Sequence, residues 1–262
     1  MITANTTKST RPLSNFHLKE GKYEAYFAAD AQAIQAAQRL RYQVFNLELG
    51  EGLPESALTG LDSDLYDAQC SHLIVKHTAT SAVVGTYRMQ SYAHAVEHEG
   101  FYSATEFDIS MVPANILGLT MEVGRACIHA EHRNNRVLFL LWKGLTAFLL
   151  YNDLRYLFGC CSLTSQDMAE GQQLMQQLRS NDAVRSDFCV AAKPGFECNT
   201  PANTQPVKTP KLFQSYLNYG AKVCSEPAID RKFKTIDYLV ILDKNELSDF
   251  SRKLFYPKEY LA

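Results

Sequence analysis

The chain has 262 residues, enough for one large domain or two small ones with a sizeable core. Hydrophobic residues make up 46% and charged residues 21%, with 13 Gly and 9 Pro, which excludes a disordered, collagenous or low-complexity chain. The 26 basic and 28 acidic side chains give a net charge of −2, which excludes a strongly basic nucleic-acid binder, and no nucleic-acid partner is expected.

In chain order, residues 1–15 are polar without an apolar h-region. They read as a disordered lead rather than a secretory signal, ahead of a single domain over 16–262. Tyr23 to Ala28 alternates as a strand, and Asp30 is placed to cap a helix. From Ala31 to Leu49 the positions Ala33, Ala37, Leu40, Val44 and Leu47 recur at helical spacing, and Gly50 and Gly52 end the run. The polar stretch Glu51 to Gln69 carries Glu55, Asp62, Asp64 and Asp67 and is too long for a tight turn. Strands are predicted at Ser71–His77 and Ala82–Gln90, a short helix at Ala93–Glu99 and strand character at Phe107–Ile109. The strand Leu119–His129 leads to Asn134 or Asn135, either of which can cap an apolar helix ending near Asn152. That helix contains the longest apolar run, Val137 to Leu150. Lys143 and Gly144 break it, and it falls short of the roughly 20 residues a membrane span needs. A strand over Leu154–Leu163, a helix over Asp167–Arg179, a Pro/Gly-rich excursion over 193–210, a helix over Phe213–Tyr219 and a strand over Thr235–Leu242 complete the pattern. Such alternation of strands and helices, with hairpins inserted, predicts an α/β fold with a mixed sheet.

Seven cysteines lie at 70, 127, 160, 161, 189, 198 and 224, an odd count with no CxxC pair, so neither a disulfide framework nor a zinc ribbon is signalled. Reduced, buried thiols in the cytoplasm are the reading. Metal signals are poor. His94 and His98 lack the HExxH order, and His129-Ala-Glu131-His132 lacks the PCxxC partner of a zinc deaminase, so no metal is expected. GxSxG, P-loop and GxGxxG motifs are absent.

The charges that draw attention sit where solvation is poor. In a regular strand, Glu122 and Arg125 point to opposite faces unless a bulge intervenes, and Gly124 is where one would be tolerated. Arg41 adjoins its helix's apolar stripe without lying on it and reads as a solvated arginine. Arg88 reads as an edge-strand surface residue. Asp64 and Asp67 could bind a cation or a substrate ammonium, although acidic loops are mostly just solvated.

Read in order, Leu40-Arg41-Tyr42-Gln43-Val44-Phe45, Asp64-Leu65-Tyr66-Asp67, Val84-Gly85-Thr86-Tyr87-Arg88 and Glu122-Val123-Gly124-Arg125-Ala126-Cys127-Ile128 form a specific series. The chain resembles the acyl-carrier-protein-dependent N-acyltransferases of the GNAT superfamily, nearest to the ornithine N-acyltransferases of ornithine-lipid synthesis. The similarity continues through Leu157–Ser162, Tyr216–Cys224 and Pro227–Phe233, covering about residues 20–245. It implies a mixed, mostly antiparallel sheet with splayed strands flanked by helices. It implies catalytic roles for Glu122 and Arg125 and a substrate cleft that includes Arg41, Phe45, Asp64, Asp67 and Arg88.

Where GNAT acetyltransferases hold the coenzyme A pyrophosphate on an R/Q-x-x-G-x-G/A loop, this chain has Arg133-Asn134-Asn135-Arg136-Val137-Leu138, without either glycine. The resemblance therefore implies an acyl carrier protein (ACP) as donor. Its pantetheine carries one phosphate, which Arg133 and Arg136 would meet, together with acidic residues of the carrier. No bound cofactor is implied. The acceptor is expected to be ornithine. Glycine, lysine, tyrosine or a homoserine-lactone precursor are alternatives, and a non-catalytic acyl-binding protein is the remaining rival. Phe139, Leu140, Trp142 and Leu157 are expected to line the acyl pocket. Asp64 and Asp67 either face a cationic substrate or pair with Arg41 and Arg88 to order their loop. A lipid product would suit peripheral contact with the inner membrane face.

Overall fold

The computed structural model describes residues 13 and 15–256. The lead expected over 1–15 lies outside the described residues except at those two positions, as does the chain beyond 256.

β1 (His17–Glu20) and β2 (Tyr23–Phe27) form a hairpin. β1 has only four half-exposed or exposed residues, too few for a sequence pattern. The Asp30 side chain accepts from the Ala33 amide at 2.8 Å and starts α1 (Ala31–Arg41). The same run continues as a π-helix over Tyr42–Glu48 and stops before Gly50 and Gly52, whose φ values are 69° and 88°. The winding therefore widens at Arg41–Tyr42, a change helices often make beside functional sites. After the single turn α2 (Ser56–Thr59) come β3 (Ser71–His77) and β4 (Val83–Ser91).

The helix expected over 93–99 is the single turn α3 (Tyr92–Ala95). The strand character expected over 107–109 reduces to one bridge, Phe107 with Ala192, followed by a 3₁₀ turn. α4 (Ala114–Leu117) is also one turn. Then follow β5 (Thr120–Ile128), α5 (Asn135–Tyr151), β6 (Tyr156–Leu163), α6 (Met168–Ser180) and α7 (Lys211–Asn218). The chain finishes with β7 (Lys222–Val223), β8 (Ala228–Asp230), β9 (Thr235–Asp243) and α8 (Asp249–Phe255).

The strands form one sheet in the order β1-β2-β3-β4-β5-β6-β9-β7, with β8 also paired to β9. Every pairing is antiparallel except β5–β6. The mixed, mostly antiparallel α/β architecture agrees with the expectation. One core lies between the sheet and α5, α6 and α7. A second, around Phe101, Phe107, Phe158, Leu239 and Ile241, covers the opposite face, and a small third forms where Leu40 and Val44 meet Cys127. α5 packs tightly on β3 at Gly144, where a Cβ would come within 2.4 Å of the Leu73 side chain.

The feature that makes room for a site is the β5–β6 pair. It is held only at Thr120–Tyr156, Met121–Leu157 and Glu122–Phe158. Past that point Gly159 lies against the Val123 carbonyl, so that a Cβ there would stand 2.1 Å from the oxygen. Beyond the contact the strands part.

Candidate active site

A cleft of about 600 Å³ opens where β5 and β6 separate. The β4–β5 ladder slips there: Thr86 faces Cys127 and Arg88 faces Gly124, leaving Arg125 and Ala126 together opposite Tyr87. This is the bulge that lets Glu122 and Arg125 line one cleft. The left-handed residue is Arg125, with φ 50°, rather than Gly124. That conformation costs a non-glycine residue about 1–2 kcal/mol. The Arg125 side chain offsets this: its Nη2 donates to Asp64 Oδ2 at 2.9 Å, and its guanidinium lies 4.1 Å from the Phe233 ring centroid.

Arg41, expected in solvent, is fully buried. Its stem lies where α1 presses on the sheet, and its head meets the acidic loop. Nη1 and Nη2 donate to the two Asp67 oxygens at 2.9 and 2.6 Å, Nε faces Asp62 Oδ1 at 2.9 Å, and Nη2 also donates to the Asp62 carbonyl. Arg88, expected on an edge strand, is 4% exposed at the sheet centre, where it donates to Asp64 and, at 2.8 Å, to Asp67. Asp62, fully buried, also faces Arg125 Nε at 3.6 Å. Three arginines and three aspartates thus cancel in charge, which is what keeps such burial tolerable.

Burial pushes Asp64 and Asp67 up, but the neighbouring guanidinium groups outweigh it. Both carboxyls are held below the ordinary range, Asp67 far below. Of the two roles open to these aspartates, the structure shows the arginine-pairing one. In the sequence Asp62 is only one acid of the loop. Nothing local distinguishes it, because its partners come from α1 and β5.

Glu122 is 7% exposed and free of this network. Its Oε1 accepts from the Ser103 amide at 2.7 Å, and its Oε2 accepts from the Tyr102 amide at 2.8 Å and the Gln90 amide group at 3.4 Å. Burial raises its pKa and those backbone hydrogen bonds oppose the rise, leaving it above the ordinary carboxylate value. An ionised, hydrogen-bonded carboxylate that can still take a proton suits a general base.

The remaining candidates separate. Phe45 is half-buried and lines the cleft. Arg133 also lines it, but pairs with both oxygens of Glu48, at 2.6 and 2.7 Å. Arg136 is exposed and lies beside Gly21 in the β1–β2 turn, off the cleft wall. The Asn134 side chain caps α5, accepting from the Arg136 and Val137 amides at 3.1 and 3.2 Å. Leu157 lines the cleft, but Phe139, Leu140 and Trp142 do not. Leu138 and Leu141 face it instead, because the other three turn into the packing around Phe255, Tyr216 and the sheet. His129, Glu131 and His132 gather their ligand atoms within 4.8 Å, with His132 Nδ1 hydrogen-bonded to the Tyr23 hydroxyl at 3.1 Å. All seven cysteines are free.

Comparison with known proteins follows the same lines. Residues 40–143 match the acetyltransferase (GNAT) domain family. The L-ornithine N(alpha)-acyltransferase of Rhizobium meliloti (strain 1021) is 33% identical over 252 residues, covering 90% of this chain and 85% of that protein. The L-ornithine N(alpha)-acyltransferase of Brucella abortus (strain 2308) is 32% identical over 251 residues, covering 90% and 89%. Among solved structures, the AHL synthase LasI superposes with a TM-score of 0.49 at 11% identity, over 89% of this chain and 94% of that one.

Proposed function

This chain belongs to the L-ornithine N(alpha)-acyltransferase family, and we propose that it moves a fatty acyl group from acyl carrier protein to the α-amine of L-ornithine. The observation that carries the reading is Glu122, held by the Tyr102 and Ser103 amides where β5 and β6 part. One domain over 16–262 performs the reaction.

The thioester arm enters the gap between β5 and β6, where strand edges beyond Glu122 and Phe158 have no ladder partner. The acceptor arrives as an ammonium and loses one proton to Glu122. Its nitrogen then attacks the thioester carbon, forming the C–N bond. Backbone N–H groups freed at the Arg125–Ala126 bulge hold the oxygen as it gains charge. Collapse breaks the C–S bond, and the second amine proton leaves with the thiolate as thiol. Glu122 returns its proton to solvent, so the turnover yields one amide, one thiol and one proton. Arg125 and the network of Arg41, Arg88, Asp62, Asp64 and Asp67 fix the cleft's shape around this centre. The acyl chain runs against Leu138, Leu141, Leu157, Phe213 and Tyr216.

The Asn134 cap supports ACP over coenzyme A as donor. The amides that a glycine-rich loop would offer to pyrophosphate are occupied by the Asn134 side chain. Arg136 remains as an exposed cation, and Arg133, exposed but paired with Glu48, would exchange that partner for one phosphate or for acidic groups of the carrier. No helix among the described residues is long and apolar enough to cross a membrane. A lipid product would suit work in the cytoplasm with peripheral contact at the inner membrane face.

The test is thiol release from acyl-ACP and acyl-CoA with a panel of amino acids, with products identified by mass. Ornithine-dependent release, faster from ACP, is expected. Release with another amino acid alone would overturn the acceptor, and equal use of CoA would overturn the donor. No release with any acceptor would overturn the function.

A further inference from the structure

Asp64 and Asp67 are spent on arginines, yet a second set of carboxylates stands beside Glu122 without a cation. Glu106, at the end of the 3₁₀ turn Tyr102–Thr105, is 1% exposed, and Asp237 on β9 is 4% exposed. Ligand atoms of Glu106, Cys160 and Asp237 all lie within 4.8 Å of one another. Among the described residues, no N–H or cationic group donates to either oxygen of Glu106 or to Asp237 Oδ1; the groups within hydrogen-bonding reach are each other's carboxyl and the Tyr102, Ser162 and Thr235 hydroxyls. The Thr235 hydroxyl, 2% exposed, faces Asp237. None of the ion pairs among the described residues includes Glu106 or Asp237. Asp230 adds a third carboxylate, which accepts from the Tyr102 hydroxyl at 3.3 Å.

This set opens on the reaction centre. Tyr102, Cys160, Phe233, Thr235 and Asp237 line the same cleft as Glu122. Buried acids facing one another without a cation are costly to keep ionised. Burial and the charges of Asp237 and Asp230 push Glu106 well up, the Tyr102 hydroxyl opposing. Burial takes Asp237 up to about 6, with the Ser162 hydroxyl opposing and Asp230 adding to it. A bound cation would remove that repulsion and give the two acids a charged partner.

We propose that this pocket holds the side-chain ammonium of a diamino-acid acceptor, with Asp237 as its ion-pair partner and Glu106 behind it. The inference rests on the acceptor reading above and deepens it. Spacing supports it. Cys160, whose Sγ lies within 4.8 Å of the Glu106 and Asp237 ligand atoms, is two residues beyond Phe158, the ladder partner of Glu122, about 7 Å along β6. The α and δ nitrogens of ornithine are separated by five bonds, about 6 Å when extended. An α-amine at Glu122 therefore brings the other nitrogen to the acid pocket. A metal ion is the other candidate cation. Dialysis against a chelator separates the two.

The experiment compares ornithine with 2-aminopentanoate, the same chain without the δ-amine, in the wild type and in Asp237→Asn and Glu106→Gln. Removing one member of a buried charge pair weakens binding by about 30-fold or more. The wild type is expected to prefer ornithine by at least that factor in kcat/KM. In Asp237→Asn the preference should fall at least about 10-fold, chiefly through KM for ornithine. Ornithine turnover with an unchanged preference in both variants would overturn this inference alone. So would a wild type indifferent to the δ-amine, a result that needs no variant to fold. Acylation of neither acceptor would overturn the acceptor reading and this inference with it. Loss of ornithine turnover on dialysis against EDTA would assign the pocket to a metal and also overturn the proposal.

Discussion

Replacing Glu122 with Gln keeps the side chain's size while removing the base and one acceptor. In the native site the two oxygens accept from the Ser103 and Tyr102 amides at 2.7 and 2.8 Å. A carboxamide has one oxygen, so its NH₂ group must face one of those two donors. An unsatisfied buried donor costs about 1–3 kcal/mol, which in a chain of this size lowers Tm by roughly 2–6 °C. The chemical loss is larger. A positioned base is worth roughly 10²–10⁴-fold, so kcat at neutral pH is expected to fall by that order with the fold intact.

The pH profile separates this loss from mere loosening. Burial raises the Glu122 carboxyl above its ordinary value, and only the ionised form accepts a proton. Wild-type activity should therefore fall on the acid side at a pH above the usual carboxylate range. Glu122→Gln should lack that limb. Its rate should climb as the amine loses its own proton to solvent, so that the deficit shrinks in alkali. Thiol release at saturating amine across pH, beside a thermal melt, measures both effects. A folded variant with kcat within about fivefold of wild type at neutral pH and an unaltered acid limb would refute the base assignment.

Three further outcomes follow from the geometry. Asp67→Asn takes from the fully buried Arg41 its two-pronged carboxylate, leaving it Asp62, and from Arg88 one of its two, which should cost about 3–5 kcal/mol, or roughly 6–10 °C in Tm. Folded Asp67 titrates far below its unfolded value, so this stabilisation is complete above the unfolded pKa of about 3.9 and fades as pH falls toward the folded one. Urea melts at pH 7 and pH 3 should show the gap between wild type and variant narrowing in acid; a constant gap would contradict the pairing. Gly159→Ala puts a Cβ 2.1 Å from the Val123 carbonyl, so β5 and β6 must shift, and kcat/KM for the acyl donor should drop at least about 10-fold in steady-state assays. Asn134→Ala removes the α5 cap and should cost about 1 kcal/mol, read as a Tm lower by roughly 2 °C.

What the sequence determined by itself is local. Asp30 and Asn134, the latter rather than Asn135, cap the helices that their positions announced, because a cap is a contact within one turn. β3, β4, β5 and β9 fall within a residue or two of their apolar runs, since alternation reports which face of a strand is buried. The ordered series of motifs also identified the family and the cleft that holds Glu122 and Arg125. Tertiary structure decided the rest. Periodicity says that a face is covered but not what covers it, so Arg41 and Arg88 read as solvated until the acidic loop folded over them. The bulge was legible as a possibility at Gly124, but the left-handed residue is Arg125, held there by Asp64 and Phe233 from distant segments. Glu106 and Asp237 carry no signal of their own in the chain. They become a pocket only because β9 lies beside β6 and the turn after Phe101 lies across both, and that adjacency is a property of the sheet order.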